Sequence, residues 1–131
     1  MPHKKASILS LVISLMFMST LIETAKSSLI WSDEWQLTHN IELDGYPCIA
    51  QMNDDRIWVV WKSRRTGNPK NSNIFYKVYN GTWSNDKALT LDSREDIGPS
   101  ITQAKDSKIW VVWSANRTGQ YRIYYLSLIH I

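Results

Sequence analysis

The sequence predicts an all-β fold assembled from repeated antiparallel units of four strands. Three observations predict it. The pentapeptide Ile57-Trp58-Val59-Val60-Trp61 returns unchanged as Ile109-Trp110-Val111-Val112-Trp113. The copies lie 52 positions apart (109 − 57), and many other residues match at that offset. Both copies are β-branched and aromatic and are flanked by turn-forming residues.

The repeat extends well beyond the pentapeptide. Trp31 matches Trp83, Leu37-Thr38 matches Leu89-Thr90, and Pro47, Ile49 and Gln51 match Pro99, Ile101 and Gln103. Arg65-Thr66-Gly67 matches Arg117-Thr118-Gly119. The loop at Asn68 to Asn73 is longer by three residues than its counterpart, after which Ile74-Phe75-Tyr76 matches Ile123-Tyr124-Tyr125. A fixed period of this size means stacked or radially arranged units.

Taken in order, residues 1–28 stand outside the fold. His3, Lys4 and Lys5 precede an apolar run of 15 residues, Ile8 to Ile22 (22 − 8 + 1), and a polar exit at residues 23–28. This is the layout of a secretory signal peptide, too short for the roughly 20 residues of a spanning helix. Glu23 occupies the minus-three position for cleavage after Ala25, so an uncleaved signal anchor is the alternative. Either way the expected location is secreted or anchored at the cell surface, with membrane contact only through this segment.

Residues 29–131 are expected to form the folded part. Residues 30–38 read as an outer strand homologous to 82–90. Residues 47–52 form a short strand closed by the turn Asn53-Asp54-Asp55. Residues 56–62 carry apolar side chains on both faces, Ile57, Val59 and Trp61 against Trp58 and Val60, as a strand buried on both sides does. Residues 73–79 follow, then the hairpin signal Asn80-Gly81, then a more polar edge strand over 82–90. The second unit offers strands at 99–104, 108–114 and 121–128.

Composition narrows the function classes. Net charge is +3, and the tight basic cluster Lys62, Arg64 and Arg65 is too small to argue for nucleic acid. Cys48 is the single cysteine, so no intrachain disulfide forms, and its apolar neighbours predict a buried thiol. Two of the three histidines, His3 and His130, lie in the terminal segments, leaving no pattern for a metal site or a cofactor. Asp54-Asp55 and Glu95-Asp96 are adjacent pairs whose side chains diverge on a strand, so neither makes a two-carboxylate glycosidase site.

Four antiparallel strands per unit at this period match the blade of a β-propeller: blade 47–90, partial blade 99–128, with neighbouring blades covering both faces of the core strand. In that arrangement Trp58, Trp61, Trp110 and Trp113 fill the wedge between blades. The pattern resembles the sialidase-like (BNR-like) β-propeller repeats of secreted proteins. The residues that carry the resemblance are Trp83, Leu89-Thr90, Pro99-Ser100-Ile101, Ile109 to Trp113, Arg117-Thr118-Gly119, Ile123-Tyr124-Tyr125 and Tyr79-Asn80-Gly81. The turn and the following strand are also similar to TolB-like propeller repeats. The Asp-box of sialidases, Ser-x-Asp-x-Gly-x-x-Trp, is absent, and no catalytic residue is carried over.

Closed propellers have typically four to eight blades. The chain therefore reads as the front end of a longer protein or as a homo-oligomer that completes a ring. The expected function is an exported, non-catalytic propeller module that binds a glycan or an extracellular protein. The alternatives are an N-terminal piece of a sialidase-like glycoside hydrolase and a structural spacer of a cell-surface protein. The ligand-binding candidates are Arg65 and Arg117, whose guanidinium forks suit anionic or hydroxyl-rich groups, and Trp31 and Trp83, whose rings could stack on sugars. Each has a competing structural role, as a turn brace for the arginines and as an edge-packing ring for the tryptophans. Asn80 and Asn116 stand in glycosylation sequons.

Overall fold

A computed structural model describes residues 29–65, 71–91 and 94–128. The expected signal segment, residues 1–28, and residues 129–131 lie outside the described residues. The chain divides into two units, Met1–Trp35 and Gln36–Ile131. In the first, residues 29–35 carry no regular secondary structure. The second is all-β, with no helix among its described residues.

Among the described residues, seven strands make two antiparallel sheets. The first sheet has the order β1 (Asp44–Gln51), β2 (Ile57–Ser63), β3 (Asn73–Tyr79) and β4 (Lys87–Ala88). The second has the order β5 (Asp96–Gln103), β6 (Ile109–Asn116) and β7 (Tyr121–Leu128). The two copies of Ile-Trp-Val-Val-Trp are β2 and β6, and each is flanked by paired strands on both sides.

The repeat persists into backbone detail. In both sheets the first strand begins three residues earlier than its proline, at Asp44 and at Asp96. The pairing then skips through a bulge, between Gly45 and Cys48 and between Ile97 and Ser100. Pro47 and Pro99 sit inside these bulges, where a residue without an N–H costs no ladder bond. Each bulge contains a left-handed residue, Tyr46 (φ 54°) in one and Gly98 (φ 60°) in the other.

The hairpins repeat as well. Met52 N donates to Arg56 O and Asp55 N to Met52 O. Ala104 N donates to Lys108 O and Ser107 N to Ala104 O. Asp55 (φ 64°) and Ser107 (φ 67°) take the left-handed position that closes such a three-residue loop. Asp54 and Asp106 each accept from the backbone N–H two residues on.

Two expected outer strands differ from the sequence reading. Residues 30–38 carry no strand assignment. The edge strand expected over 82–90 reduces to β4 and an isolated bridge between Tyr79 and Trp83. Ser84 explains the interruption. Its hydroxyl accepts from Val78 N at 3.0 Å, and its own N–H donates to Val78 O at 2.9 Å. A side chain thus takes a place on the strand edge that a ladder bond would fill.

The second sheet lies against the first, with β5 packed across β1, β2 and β3. The core between them joins Trp58, Val60 and Ile74 from one sheet to Ile101, Ile109, Val111, Trp113 and Ala115 from the other. Burying side chains of this size contributes about 1.5–3 kcal/mol each. Cys48 packs half-buried at the margin of this core and is less enclosed than its neighbours predict. Its position on β1 is close to the bulge and away from the centre of the sheet.

The opposite face of β2 forms a second, smaller core of Val59 and Trp61 with Phe75, covered by Leu37 and Ala88. The expectation of two buried faces therefore holds for β2. It does not hold for β6. Ile109, Val111 and Trp113 are buried, whereas Val112 is exposed and Trp110 half-buried. Of the four core tryptophans, Trp58 and Trp113 meet between the sheets, Trp61 lies beneath the first sheet, and Trp110 lies on the outer face of the second.

Candidate functional site

The arginine after each core strand is placed by the turn that follows it. Arg65 Nε donates to Ser63 Oγ at 2.9 Å, and its guanidinium reaches Asp44 Oδ2 at 3.2 Å and forms a short ion pair with Asp86. The same group lies 4.6 Å from the Phe75 ring centroid. Lys77 completes the cluster, 2.9 Å from Asp86 Oδ1, while donating to Leu37 O at 2.7 Å. Burial opposes the charge on Asp44 and on Asp86. The hydrogen bonds from Ser63, Thr38 and Asn40 to Asp44, and from Arg65 and Lys77 to Asp86, outweigh it, so both carboxyls are held below their ordinary value. In this setting Arg65 braces the first sheet and binds its covering segment.

Arg117 stands differently. Its guanidinium carbon lies 4.1 Å over the Tyr124 ring centroid. It borders a groove of about 270 Å³ lined by Leu89, Thr90, Leu91, Trp113, Tyr124 and Tyr125. The strand register places these groups. Trp113 pairs with Tyr124 across β6 and β7, and their rings lie 6.4 Å apart and nearly parallel. Trp113 itself is buried, so the open aromatic side of the groove is Tyr124, with Arg117 stacked on its ring, and the exposed Tyr125. Such a cleft can hold a flat, hydroxyl-bearing ring and donate hydrogen bonds to an anionic substituent.

The candidate tryptophans separate. Trp83 is 42% exposed and packs on Tyr79, with ring centroids 5.2 Å apart at 56°. Part of its ring is therefore used at the sheet edge, and part is open. Trp31 belongs to the N-terminal unit and is exposed. Arg65 and Trp83 are not among the residues lining the Arg117 groove. Asn80 is exposed in its turn, where its N–H donates to Thr82 O at 3.1 Å. Asn116 ends β6, is half-buried, and donates its N–H to Glu95 O.

A junction that motif reading passed over links the sheets. Lys62 Nζ lies 3.1 Å from Glu95 Oε1, and Tyr121 Oη donates to Glu95 Oε2 at 2.6 Å. The Tyr121 bond and then the Lys62 bond hold the Glu95 carboxyl below its ordinary value. Lys62 and Arg64 also border a groove of about 270 Å³ with Leu43, Asp44, Gly45 and Tyr46. Glu95 carried no sequence signal beyond its adjacency to Asp96, because its partners are 33 and 26 residues away.

Among the described residues no group of three His, Cys, Asp or Glu could hold a metal ion. No family model matches the chain, and no curated protein matches it.

Proposed function

We propose that the chain is an exported, non-catalytic β-propeller module whose two sheets are consecutive blades, and that it binds a glycan. The 52-residue period and the in-line packing of one sheet on the next support the blade reading. One observation carries the ligand reading, the groove in which the Arg117 guanidinium lies against Tyr124 beside the exposed ring of Tyr125. Aromatic faces take up the apolar faces of sugar rings, and a guanidinium selects acidic substituents. The groove is near the low end of small-ligand cavities, which run from about 300 Å³ upward. It suits one sugar residue at the end of a longer glycan.

The test is a glycan array of neutral and acidic sugars probed with the full chain, followed by tryptophan-fluorescence titration with the best responder. Acidic sugars should be preferred, and Arg117→Gln should weaken binding about tenfold or more with the far-UV spectrum unchanged. No responder on the array, or a titration indifferent to Arg117→Gln, would remove the proposal.

A further inference from the structure

The outer edge of the first sheet is covered by the segment that leads into the second. Trp83 bridges to Tyr79, and Lys87 and Ala88 pair with Tyr76 and Phe75. Ser84 N donates to Val78 O, and Ser84 Oγ accepts from Val78 N. The N–H groups of Leu89 and Thr90 both reach Ile74 O. From the same segment Asp86 pairs with Arg65, whose guanidinium lies over the Phe75 ring.

The second sheet has the receiving strand without such a cover. β7 is the repeat counterpart of β3, with Ile123, Tyr125 and Ser127 standing where Ile74, Tyr76 and Val78 stand. Among the described residues β7 pairs with β6 alone. Its exposure follows: Ile74 is 0% exposed and Ile123 75%. The cation is in place as well, since Arg117 lies 4.1 Å over the Tyr124 ring as Arg65 lies 4.6 Å from that of Phe75. A bare edge offers a row of backbone N–H and C=O groups to a further strand.

The chain contains a second version of the covering segment. Trp31-Ser32 and Leu37-Thr38 match Trp83-Ser84 and Leu89-Thr90 at the 52-residue offset (83 − 31), and the acidic Glu34 stands at the place of Asp86. Residues 31–36 carry no strand, and Trp31 and Trp35 are 94% and 86% exposed. The inner end of the segment is already seated on the first sheet. Leu37 O accepts from Lys77 Nζ, and Leu37 packs on Val59 and Trp61. Leu89 likewise packs on the core that contains Trp113. In 83–90 the outer part then lies along the edge of the preceding unit. In 31–36 that part has no edge of its own.

We propose that residues 31–36 of one copy add as a fourth strand to β7 of a second copy, in the register that residues 83–88 take on β3. Ser32 then stands beside Ser127, Trp35 opposite Tyr125 and Gln36 opposite Tyr124, and Glu34 meets Arg117. Arg65 holds Asp44 and Asp86 at once, so an arginine at this position has room for a carboxylate from the added strand beside one from its own sheet. The contact is head to tail, and it propagates or closes into a ring according to its rotation. The inference rests on the repeat and on the open edge. It does not need a glycan, which would compete for the same guanidinium.

The experiment is sedimentation velocity on the full chain across a concentration series without added sugar, with Ser32→Pro, Glu34→Arg and Ser127→Pro. Ser32→Pro removes the N–H that would reach Ser127 O, and Ser127→Pro the N–H that Ser32 Oγ would accept. All three residues are exposed, and proline is tolerated on an edge strand where its N–H would face solvent. The wild-type chain should associate with increasing concentration, and each substitution should weaken association about tenfold or more. The deciding arm mixes Ser32→Pro with Ser127→Pro. The first keeps an intact edge and the second an intact donor segment, so the mixture should form a 1:1 pair more tightly than either variant self-associates. Should Ser127→Pro fail to fold, Ser32→Pro and Glu34→Arg decide alone. A wild-type chain that stays monomeric, association unchanged by Ser32→Pro and Glu34→Arg, or folded variants that fail to pair would each overturn the proposal.

Discussion

Lys62 and Glu95 bring their charged atoms to 3.1 Å, and in doing so tie the end of the first core strand to the entry of the second sheet. The pair is only partly screened, with side chains 12% and 30% exposed. Glu95 also accepts the Tyr121 hydroxyl from the far strand of its own sheet. One carboxylate therefore connects β2, β5's approach and β7.

That carboxylate makes acid stability a test of the junction. Glu95, Asp44 and Asp86 all have folded-state values below their ordinary ones. Their contribution is fully present above the unfolded values near about 4 and is lost as pH falls through the folded values. The urea midpoint should be level from about pH 6 to pH 5 and should drop below about pH 4. Glu95→Gln should cost about 0.5–1 kcal/mol at neutral pH and make the acid limb shallower. An acid limb identical in the two proteins would show that the junction carries no linkage.

Arg65 should tolerate no conservative replacement. Its fork joins Asp44 to Asp86 while stacking on Phe75. An ammonium is a point charge without a planar fork, so it cannot bridge both carboxylates and stack on the ring at once. Arg65→Lys should destabilise by about 1–3 kcal/mol in chemical denaturation. A midpoint unchanged by Arg65→Lys would mean that charge alone matters there.

Ile74 and Ile123 occupy one repeat position with opposite surroundings, 0% and 75% exposed. Ile74→Ala removes volume from the closed core and should cost about 2–5 kcal/mol. Ile123→Ala, measured in dilute solution, should fall within about 0.5 kcal/mol of wild type. Equal losses at both positions would contradict the observed arrangement of the faces.

The bulges offer a backbone test. Tyr46 and Gly98 hold the same left-handed position, and only glycine does so without steric cost. Gly98→Ala should destabilise by about 1–2 kcal/mol, although no atom lies within 4 Å of the added Cβ. Tyr46→Gly relieves the corresponding strain. It also gives up the Lys62 contact, 5.7 Å over the Tyr46 ring, worth about 0.5–1 kcal/mol. The net change for Tyr46→Gly should be a gain of about 0.5 kcal/mol in thermal or urea unfolding, from the difference of those two magnitudes.

Much of the fold was legible in the residues alone. The strand class, the order of the seven strands and their hairpin turns follow from local chemistry: β-branched runs, Asp-rich turns and an exact repeat. Local chemistry misjudged the edge strand over 82–90, because Ser84 competes with the ladder through a side-chain bond to Val78 that propensity does not register. The Arg117 groove was half legible. The arginine stood out by recurrence, whereas Leu89 and Leu91 reach it from a distant segment.

What the sequence by itself determined is a periodic all-β chain whose core strands have two apolar faces. Which face is closed was decided only by tertiary structure. Ile57-Trp58-Val59-Val60-Trp61 and Ile109-Trp110-Val111-Val112-Trp113 are the same five residues, yet they end in different environments. Hydrophobic burial is non-directional, so a strand apolar on both sides encodes the need for cover and not its source. The cover depends on neighbours, and β6 has a sheet on one side where β2 has a sheet on one side and Leu37 with Ala88 on the other.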